Sequence, residues 1–369
     1  MLGNLRSEKF LASPKTVGML LFLLRVKKYL TGKEPRVKLF TLLAAIIGLL
    51  PAALANAADS QPRLVEAKLI WDKAPHNAFT DLIRFKDQWY CVFREGKGHV
   101  SPDGALRVLT SADGDHWESA ALITSPTSDL RDAKISITGN GQLMLGGAEA
   151  IPHPETGKSY KHQSIVWFSD DGKNWSERHN VADENFWLWR INWHKNKAYG
   201  FGYSTNDLPR MVRFYGSNDG KTFKTLSANA APGAGYANET ANVFMDDGTC
   251  YCLLRRDGSP NNTGFLGTAR PPYTEWEWKD LGTRLGGPAM LRLPDGRFMA
   301  AVRLYDKKVR TSLCWLDIEK GELTEALALP SGGDTSYAGM VWHDDLLWVS
   351  YYSSHEGKTN IYLAKVKFE

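Results

Sequence analysis

The sequence predicts an all-β protein, a six-bladed β-propeller built from four-stranded antiparallel blades. The chain of 369 residues is rich in residue types of strands and tight turns, with 13 Trp, 14 Tyr, 15 Phe and 33 Gly. A hairpin pattern returns six times, and a polar turn motif recurs between the first hairpins. Repeats of about 40 to 50 residues are typical of stacked or radial units.

Each repeat begins with two apolar strands joined by a short turn, and successive hairpins start about 50 residues apart, the length of a four-stranded blade. The connecting dipeptides are mostly those that tight hairpins prefer, such as Asn140-Gly141 and Asp247-Gly248. The paired segments are 79–85 with 89–94, 134–138 with 142–147, 189–194 with 198–203, 240–245 with 249–255, 289–293 with 297–303, and 338–343 with 346–352.

Three turns between the third and fourth strands of the first three repeats share one pattern. A Ser is followed two residues later by Asp, then by Gly and a closing aromatic residue, in Ser111–Trp117, Ser169–Trp175 and Ser217–Phe223. The carboxylate can accept hydrogen bonds from N–H groups of the turn, the Gly supplies a positive φ, and the aromatic ring packs on the blade. Three such turns in register indicate a repeated blade.

The two ends of the repeat region each carry an unpaired strand. Segment 63–70 precedes the first hairpin, and segment 359–368 is a third strand with no fourth strand after it. Pairing the two would complete the last blade, close the ring and remove exposed edges. The sequence therefore predicts a single propeller domain over residues 58–369.

Residues 37–57 have the features of a secretory signal peptide, with a basic start, an apolar run and the small-residue pattern Ala55-Asn56-Ala57. The apolar run is shorter than the roughly 20 residues that a spanning helix needs. We expect cleavage after Ala57, a secreted or periplasmic protein, and no membrane association after cleavage. Residues 1–36 do not fit the short start of a signal peptide, so one hypothesis is that translation begins at codon 37.

Composition excludes several classes of partner and cofactor. The formal net charge is only +4, from 45 basic and 41 acidic residues, and no clustered basic face predicts binding to nucleic acid. The nine His and four Cys lack the spacing of metal sites. No phosphate-binding glycine loop or dinucleotide motif is present. We therefore expect neither a metal nor a cofactor.

The six hairpins and the three Ser-x-Asp-Gly turns together resemble the sialidase superfamily, whose Asp-box turns have this form on a six-bladed propeller. The resemblance covers about residues 58–369. In that superfamily the Asp-box turns lie away from the active site, so they imply the fold and not the chemistry.

The chemistry is expected at one mouth of the propeller, because all inner strands begin there and the antiparallel second strands end there. A cluster of charged groups at this mouth is costly unless its members pair or bind a charged ligand. Charged and phenolic side chains converge on it: Asp81, Arg94, Arg131, Asp132, Arg190, Glu239, Arg255, Arg303 and Tyr337.

The resemblance implies roles for some of these residues. Tyr337 would be the nucleophile of a glycoside hydrolase, and Glu239 would take its proton. Arg255 and Arg303 would hold a substrate carboxylate. The general acid is expected on the loop after the first hairpin, which offers Asp103 or His99.

One departure affects the substrate. Sialidases open with a Phe/Tyr-Arg-Ile-Pro motif on the first strand, whereas this strand reads His-Asn-Ala-Phe-Thr-Asp over 76–81 and lacks the Arg. Arg94, Arg131 or Arg190 could compensate from elsewhere on the rim, and His99 could also contact the substrate. The expected function is a secreted, exo-acting glycoside hydrolase that removes a terminal, acidic sugar from a glycan.

Two other functions stay open. In order along the chain, Asp81, Arg131-Asp132 and Glu239 are similar to residues of arabinanase- and invertase-like five-bladed glycosidases. A carboxylate trio of Asp81, Asp132 and Glu239 could therefore act on a non-sialic sugar. A non-catalytic, lectin-like propeller would instead stack glycans on aromatic residues, namely Trp187, Trp189, Trp193 and Tyr203.

Overall fold

The computed structural model describes residues 60–206, 208–258 and 262–369. Within these ranges the chain forms 23 strands and no helix, which confirms the all-β prediction. It follows that no described helix is long and apolar enough to cross a membrane. The predicted signal peptide and the extension before it lie outside the described residues.

Four sheets contain four antiparallel strands each. The first comprises β2 (His76–Phe85), β3 (Gln88–Gly96), β4 (Ala105–Ser111) and β5 (Glu118–Ile123). The second comprises β6 (Asp129–Ile137), β7 (Leu143–Pro152), β8 (Ser159–Ser169) and β9 (His179–Val181). The third comprises β10 (Phe186–His194), β11 (Lys197–Ser204), β12 (Val212–Ser217) and β13 (Lys224–Ser227). The last comprises β21 (Thr335–His343), β22 (Leu346–Ser353), β23 (Asn360–Phe368) and β1 (Pro62–Trp71).

The remaining strands form one seven-stranded sheet. Its members are β14 (Tyr236–Phe244), β15 (Cys250–Asp257), β16 (Thr263–Ala269), β17 (Glu277–Arg292), β18 (Phe298–Leu304), β19 (Arg310–Asp317) and β20 (Glu322–Ala328). The first part of β17, up to Arg284, pairs with β16, and the second part, from Leu285, pairs with β18. The prediction of six separate four-stranded blades is therefore corrected: this propeller has four separate blades and one larger sheet, because β17 runs through two strand positions.

The N-terminal strand β1 lies antiparallel to β23, with Arg63 opposite Lys367 and Ala67 opposite Ala364. This is the pairing that the two unpaired segments of the sequence predict. The strand adds an outer edge to the sheet of β21, β22 and β23.

The inner strands share a feature that the sequence pattern does not show. Strands β2, β6, β10, β14, β17 and β21 contact one another in this order, and β21 contacts β2. In each of them two residues face a single residue of the neighbouring strand, which is a β-bulge. The bulged pairs are Phe79-Thr80, Asp132-Ala133, Trp189-Arg190, Asn238-Glu239, Gly287-Pro288 and Tyr337-Ala338.

The three polar turns have the same internal hydrogen bonds. In the first, the Ser111 hydroxyl accepts the Gly114 N–H at 2.8 Å, and Asp113 Oδ1 accepts two further N–H groups of the turn. The Trp117 indole donates to the Gly114 carbonyl at 3.0 Å. The turns at Ser169 and Ser217 repeat the serine and aspartate bonds, so all three are self-contained structural units.

Candidate active site

A tyrosine, a glutamate and an arginine meet at the bulged level of the inner strands. Glu239 lies in the bulge of β14, Tyr337 lies in the bulge of β21, and Arg255 is the residue of β15 that faces the β14 bulge. The Tyr337 hydroxyl donates to Glu239 Oε1 at 2.6 Å and accepts from Arg255 Nη1 at 2.9 Å. Arg255 Nη1 also donates to Glu239 Oε1 at 2.8 Å. The structure therefore brings together the three residues that the sequence places in one site.

The backbone around this triad supports it. The second oxygen of Glu239 accepts the Gly287 N–H at 3.1 Å. Gly287 has a φ of 53°, and a Cβ there would lie 2.9 Å from Cδ2 of Tyr337, so only glycine leaves room for the ring. Arg255 also forms an ion pair with Asp257, at 2.9 Å from its Nε.

The triad can activate the phenol as a nucleophile. Burial and the negative charge of Glu239 raise the pKa of Tyr337 well above its ordinary value, so the resting group is a neutral phenol. Glu239 is already in hydrogen-bonding position to take the proton as a bond forms at the oxygen. Arg255 would then stabilise the developing negative charge.

Asp132 lies in the bulge of β6 and is buried at 9% exposure. Burial raises its pKa to about 6, against the opposing effect of Lys134. Lys134 is buried as well, and burial together with the charge of Arg190 lowers its pKa to about 8. The carboxyl of Asp132 makes no hydrogen bond or ion pair to a described side chain, so it is open to a ligand.

A second polar group adjoins the triad and centres on Asp334. Its Oδ2 lies 2.7 Å from His99 Nδ1 and 3.3 Å from His76 Nε2. Its Oδ1 accepts the Tyr352 hydroxyl at 2.7 Å and Arg303 Nη2 at 3.3 Å. Burial opposes ionisation of Asp334, but hydrogen bonds from the two His and Tyr352 outweigh it and hold its pKa well below the usual range.

The two His and Asp334 also have donor atoms within 4.8 Å of one another, close enough for a metal ion. Among the described residues this is the one group with such a geometry, and the sequence predicts no metal site there. Their mutual hydrogen bonds already account for the arrangement.

Aromatic rings form a wall beside Tyr337. The ring of Phe79 lies 5.1 Å from that of Tyr337 and 5.0 Å from that of His99, in edge-to-face contacts. Trp189 lies 5.7 Å from Tyr337. Rings of this kind pack against the C–H faces of ligands.

Three predicted site residues are engaged inside the protein instead. Arg94 is fully buried, and its guanidinium bonds to Asp129 and to carbonyls of the following loop. Asp81 is buried too, where it accepts Arg190 Nη1 at 2.9 Å and the Ile135 N–H at 3.0 Å. The roles predicted for Arg94 in substrate binding and for Asp81 in catalysis are corrected on this ground, since both side chains are used to hold neighbouring strands.

Asp103, a predicted general acid, lies on the loop after the first hairpin. It is exposed, and its carboxylate accepts the Lys97 N–H of its own loop at 3.3 Å. His99, the other candidate acid, reaches the Phe79 ring. Arg131 donates to Asp129 at 2.6 Å, whereas Arg303 lies 5.5 Å above the Tyr337 ring.

Sequence reasoning missed Asp334, His76 and Asp257. Asp334 lies only three residues before Tyr337, and Asp257 only two residues after Arg255, so polar residues flanking a predicted site residue are the signal that could have revealed them. Of the four aromatic residues proposed as lectin platforms, Trp187 and Trp189 are in the core, at 6% and 4% exposure, and the other two, Trp193 and Tyr203, are partly buried against it.

A cavity of about 970 Å³ lies at the opposite ends of the strands, between turns of the second and third sheets. Its lining includes Asn140, Trp175 and Asn196. Smaller clefts of about 500 and 260 Å³ include Asp257 and Arg131 in their linings. Two clefts therefore border the mouth.

No protein-family model and no curated protein matches the sequence. Among solved structures, a protein of unknown function from Dyadobacter fermentans is similar over 84% of this chain and 100% of its own, with a TM-score of 0.74 and 20% identity. Trypanosoma rangeli sialidase has a TM-score of 0.60 and 11% identity, over 83% of this chain and 59% of its own. An α-L-arabinofuranosidase from Fusarium graminearum has a TM-score of 0.63 and 12% identity, over 82% and 97%. At these identities the similarity establishes the fold alone, a β-propeller like those of glycoside hydrolases.

Proposed function

We propose that the protein is a glycoside hydrolase that removes a terminal sugar, with Tyr337 as nucleophile and Glu239 as its base. The observation that carries this proposal is the hydrogen bond of 2.6 Å from the Tyr337 hydroxyl to Glu239, with Arg255 bound to both groups. A buried phenol with a base and a cation on its oxygen is expensive to build without a use for it. The two named enzymes of similar fold act on glycosides, which agrees with this assignment.

The reaction would proceed in two steps. The Tyr337 oxygen bonds to the anomeric carbon as its proton moves to Glu239, while a general acid protonates the departing glycosidic oxygen. Water then releases the sugar from the tyrosine, Glu239 returns the proton to the phenol oxygen, and the former acid takes a proton from the attacking water.

His99 is supported as the general acid over Asp103. Its Nδ1 is held by Asp334 at 2.7 Å and the ring is half exposed, so Nε2 is available to a leaving group. A carboxylate that fixes one imidazole nitrogen leaves the other in a defined orientation for proton transfer.

The alternative mechanism with three carboxylates would lack Asp81, because that residue is buried beneath Arg190. Asp132 remains an alternative acid, since burial raises its pKa to about 6.

We further infer that the two parts of β17 serve two blades, which gives six blades around the site. We also infer that the protein acts outside the cytoplasm after cleavage of the predicted signal peptide.

The test combines kinetics with trapping of the intermediate. Tyr337→Phe and Glu239→Gln should each lower kcat by about 10²- to 10⁴-fold, whereas Tyr251→Phe, at the far end of β15, should leave it unchanged. A fluorinated glycosyl donor should label the peptide that contains Tyr337, as measured by mass spectrometry. A label on Asp132 or Glu239, or a fully active Tyr337→Phe variant, would reject the tyrosine mechanism.

The same series identifies the acid. His99→Asn should slow glycosides with poor leaving groups much more than aryl glycosides with activated ones, because only the former need protonation. If Asp103→Asn or Asp132→Asn shows this pattern instead, the acid is that carboxylate.

A further inference from the structure

We propose that the sugar recognised at this mouth is neutral, in contrast to the acidic sugar that the sequence predicts. This inference rests on the proposed function and names its substrate class. It is based on three observations. The arginines of the site form ion pairs with protein carboxylates, the first inner strand carries an aromatic residue in place of an arginine, and one carboxylate has no partner among the described side chains.

Each of the five arginines predicted for the site already has a carboxylate of the protein. Arg94 and Arg131 share Asp129, at 2.8 and 2.6 Å. Arg190 pairs with Asp81 at 2.9 Å. These three are the residues that could have replaced the arginine missing from the first strand.

The two arginines nearest the nucleophile are also neutralised. Arg255 pairs with Glu239 at 2.8 Å and with Asp257 at 2.9 Å. Arg303 pairs with Asp334 at 3.3 Å. A substrate carboxylate would therefore have to compete with a fixed protein carboxylate for each guanidinium, and such competition removes most of the benefit of an ion pair.

The sum of charges points the same way. Lys134 is the sixth cationic side chain of the group, and Asp132 is the sixth carboxylate, so the positive and negative charges of this group are equal in number. Asp132 makes no hydrogen bond or ion pair to a described side chain. This carboxylate would repel an anionic sugar, whereas a pair of sugar hydroxyl groups could donate to it.

The first inner strand presents an aromatic ring in place of an arginine. Phe79, in the bulge of β2, has a positive φ of 65° and packs on Tyr337 and on Tyr352, with ring distances of 5.1 and 5.3 Å. Trp189 adds a ring on the other side of Tyr337. Such walls favour the C–H faces of a neutral sugar over a charged group that would lose its hydration.

The first arm of the test compares turnover of matched aryl glycosides. Neutral α-L-arabinofuranosides and hexosides are compared with an N-acetylneuraminic acid glycoside and a glucuronide that carry the same leaving group. We expect kcat/KM for at least one neutral glycoside to exceed that of both acidic ones by about 100-fold or more. Preferred cleavage of an acidic glycoside would overturn the inference and leave the proposed function intact.

The second arm measures binding of free monosaccharides by calorimetry, so it does not depend on turnover. Asp132→Asn should weaken binding of the neutral sugar by about 10- to 100-fold, because a charged hydrogen bond is lost. The same variant should tighten binding of N-acetylneuraminic or glucuronic acid. Asp170→Asn, an exposed change at the opposite ends of the strands, is the control and should alter neither affinity.

The outcomes separate the two proposals. Binding of neutral sugars without turnover of any glycoside would reject the hydrolase and keep the neutral ligand. Tight binding of an acidic sugar by the wild type, or an Asp132→Asn variant that binds neutral sugars as well as the wild type does, would overturn the neutral-sugar inference. Failure to bind any sugar would reject both.

Discussion

Tyr337 and Asp132 show two ways in which a polar residue is buried in this site. Tyr337 shares its hydroxyl between Glu239 and Arg255, so its polar atom is fully satisfied. Asp132 is buried with no such bond, and burial raises its pKa to about 6 from an ordinary value of 3.8. An unpaired carboxylate of this kind destabilises the folded state whenever it is ionised.

The raised pKa of Asp132 gives the sign of the pH effect on the free energy of unfolding. The folded protein holds the Asp132 proton more tightly than the unfolded chain does, so folding is penalised fully above pH 6 and not at all below the unfolded pKa. Asp132→Asn should therefore increase the free energy of unfolding at pH 7.5, by at most about 3 kcal/mol. The gain should vanish near pH 4. Denaturation at both pH values measures this, and an equal gain at both would contradict it.

At the scale of elements, the bulges of the inner strands explain how the site is assembled. A regular strand alternates its side chains between two faces, whereas a bulge changes this alternation at one point and re-aims a side chain. The bulges of β14 and β21 carry Glu239 and Tyr337, and the bulge of β17 supplies Gly287 between them.

A comparison of two glycines of β17 separates the effect of the close contact with Tyr337 from the strain of a positive φ. Gly287 and Gly282 both have positive φ, of 53° and 63°, but an added Cβ meets Tyr337 at the first and open space at the second. Either change to Ala should cost about 1 kcal/mol of stability. Gly287→Ala alone should also displace the ring and reduce kcat. Equal kinetics for both variants would show that the close approach to Tyr337 is unimportant.

For the whole molecule, the pairing of β1 with β23 joins residues 290 or more positions apart in the sequence. Such long-range pairing removes an edge and couples the two ends of the chain. A chain that starts at Asp72 should unfold at a lower temperature and self-associate through the exposed edge of β23. Arg63→Ala is the control, because its ion pair with Glu369 is exposed and should contribute less than about 1 kcal/mol. Light scattering and thermal unfolding test both, and a monomeric truncated chain of unchanged stability would contradict the expectation.

The all-β class, the strand hairpins, the β1–β23 pairing and the convergence of Glu239, Arg255 and Tyr337 were all predictable. Each depends on local patterns or on the repeat, which places equivalent positions of different strands at one mouth. Asp334 and His76 were not predictable in this way, because they lie in loop and strand-start positions whose neighbours depend on tertiary packing.

The sequence by itself determined that charged residues at strand ends, such as Glu239 and Arg255, lie at the mouth, because the hairpin repeat sets their level along each strand. The sequence did not determine whether these charged side chains pair with one another or remain unpaired until a charged ligand binds. Only the tertiary structure decided this, since an ion pair requires particular distances between strands that are far apart in sequence, such as 2.9 Å between Arg190 and Asp81. The same packing set the course of β17, because its first part pairs with β16 and its second part with β18, which joins seven strands in one sheet although Gly282 and Gly286-Gly287-Pro288 interrupt that strand in the sequence.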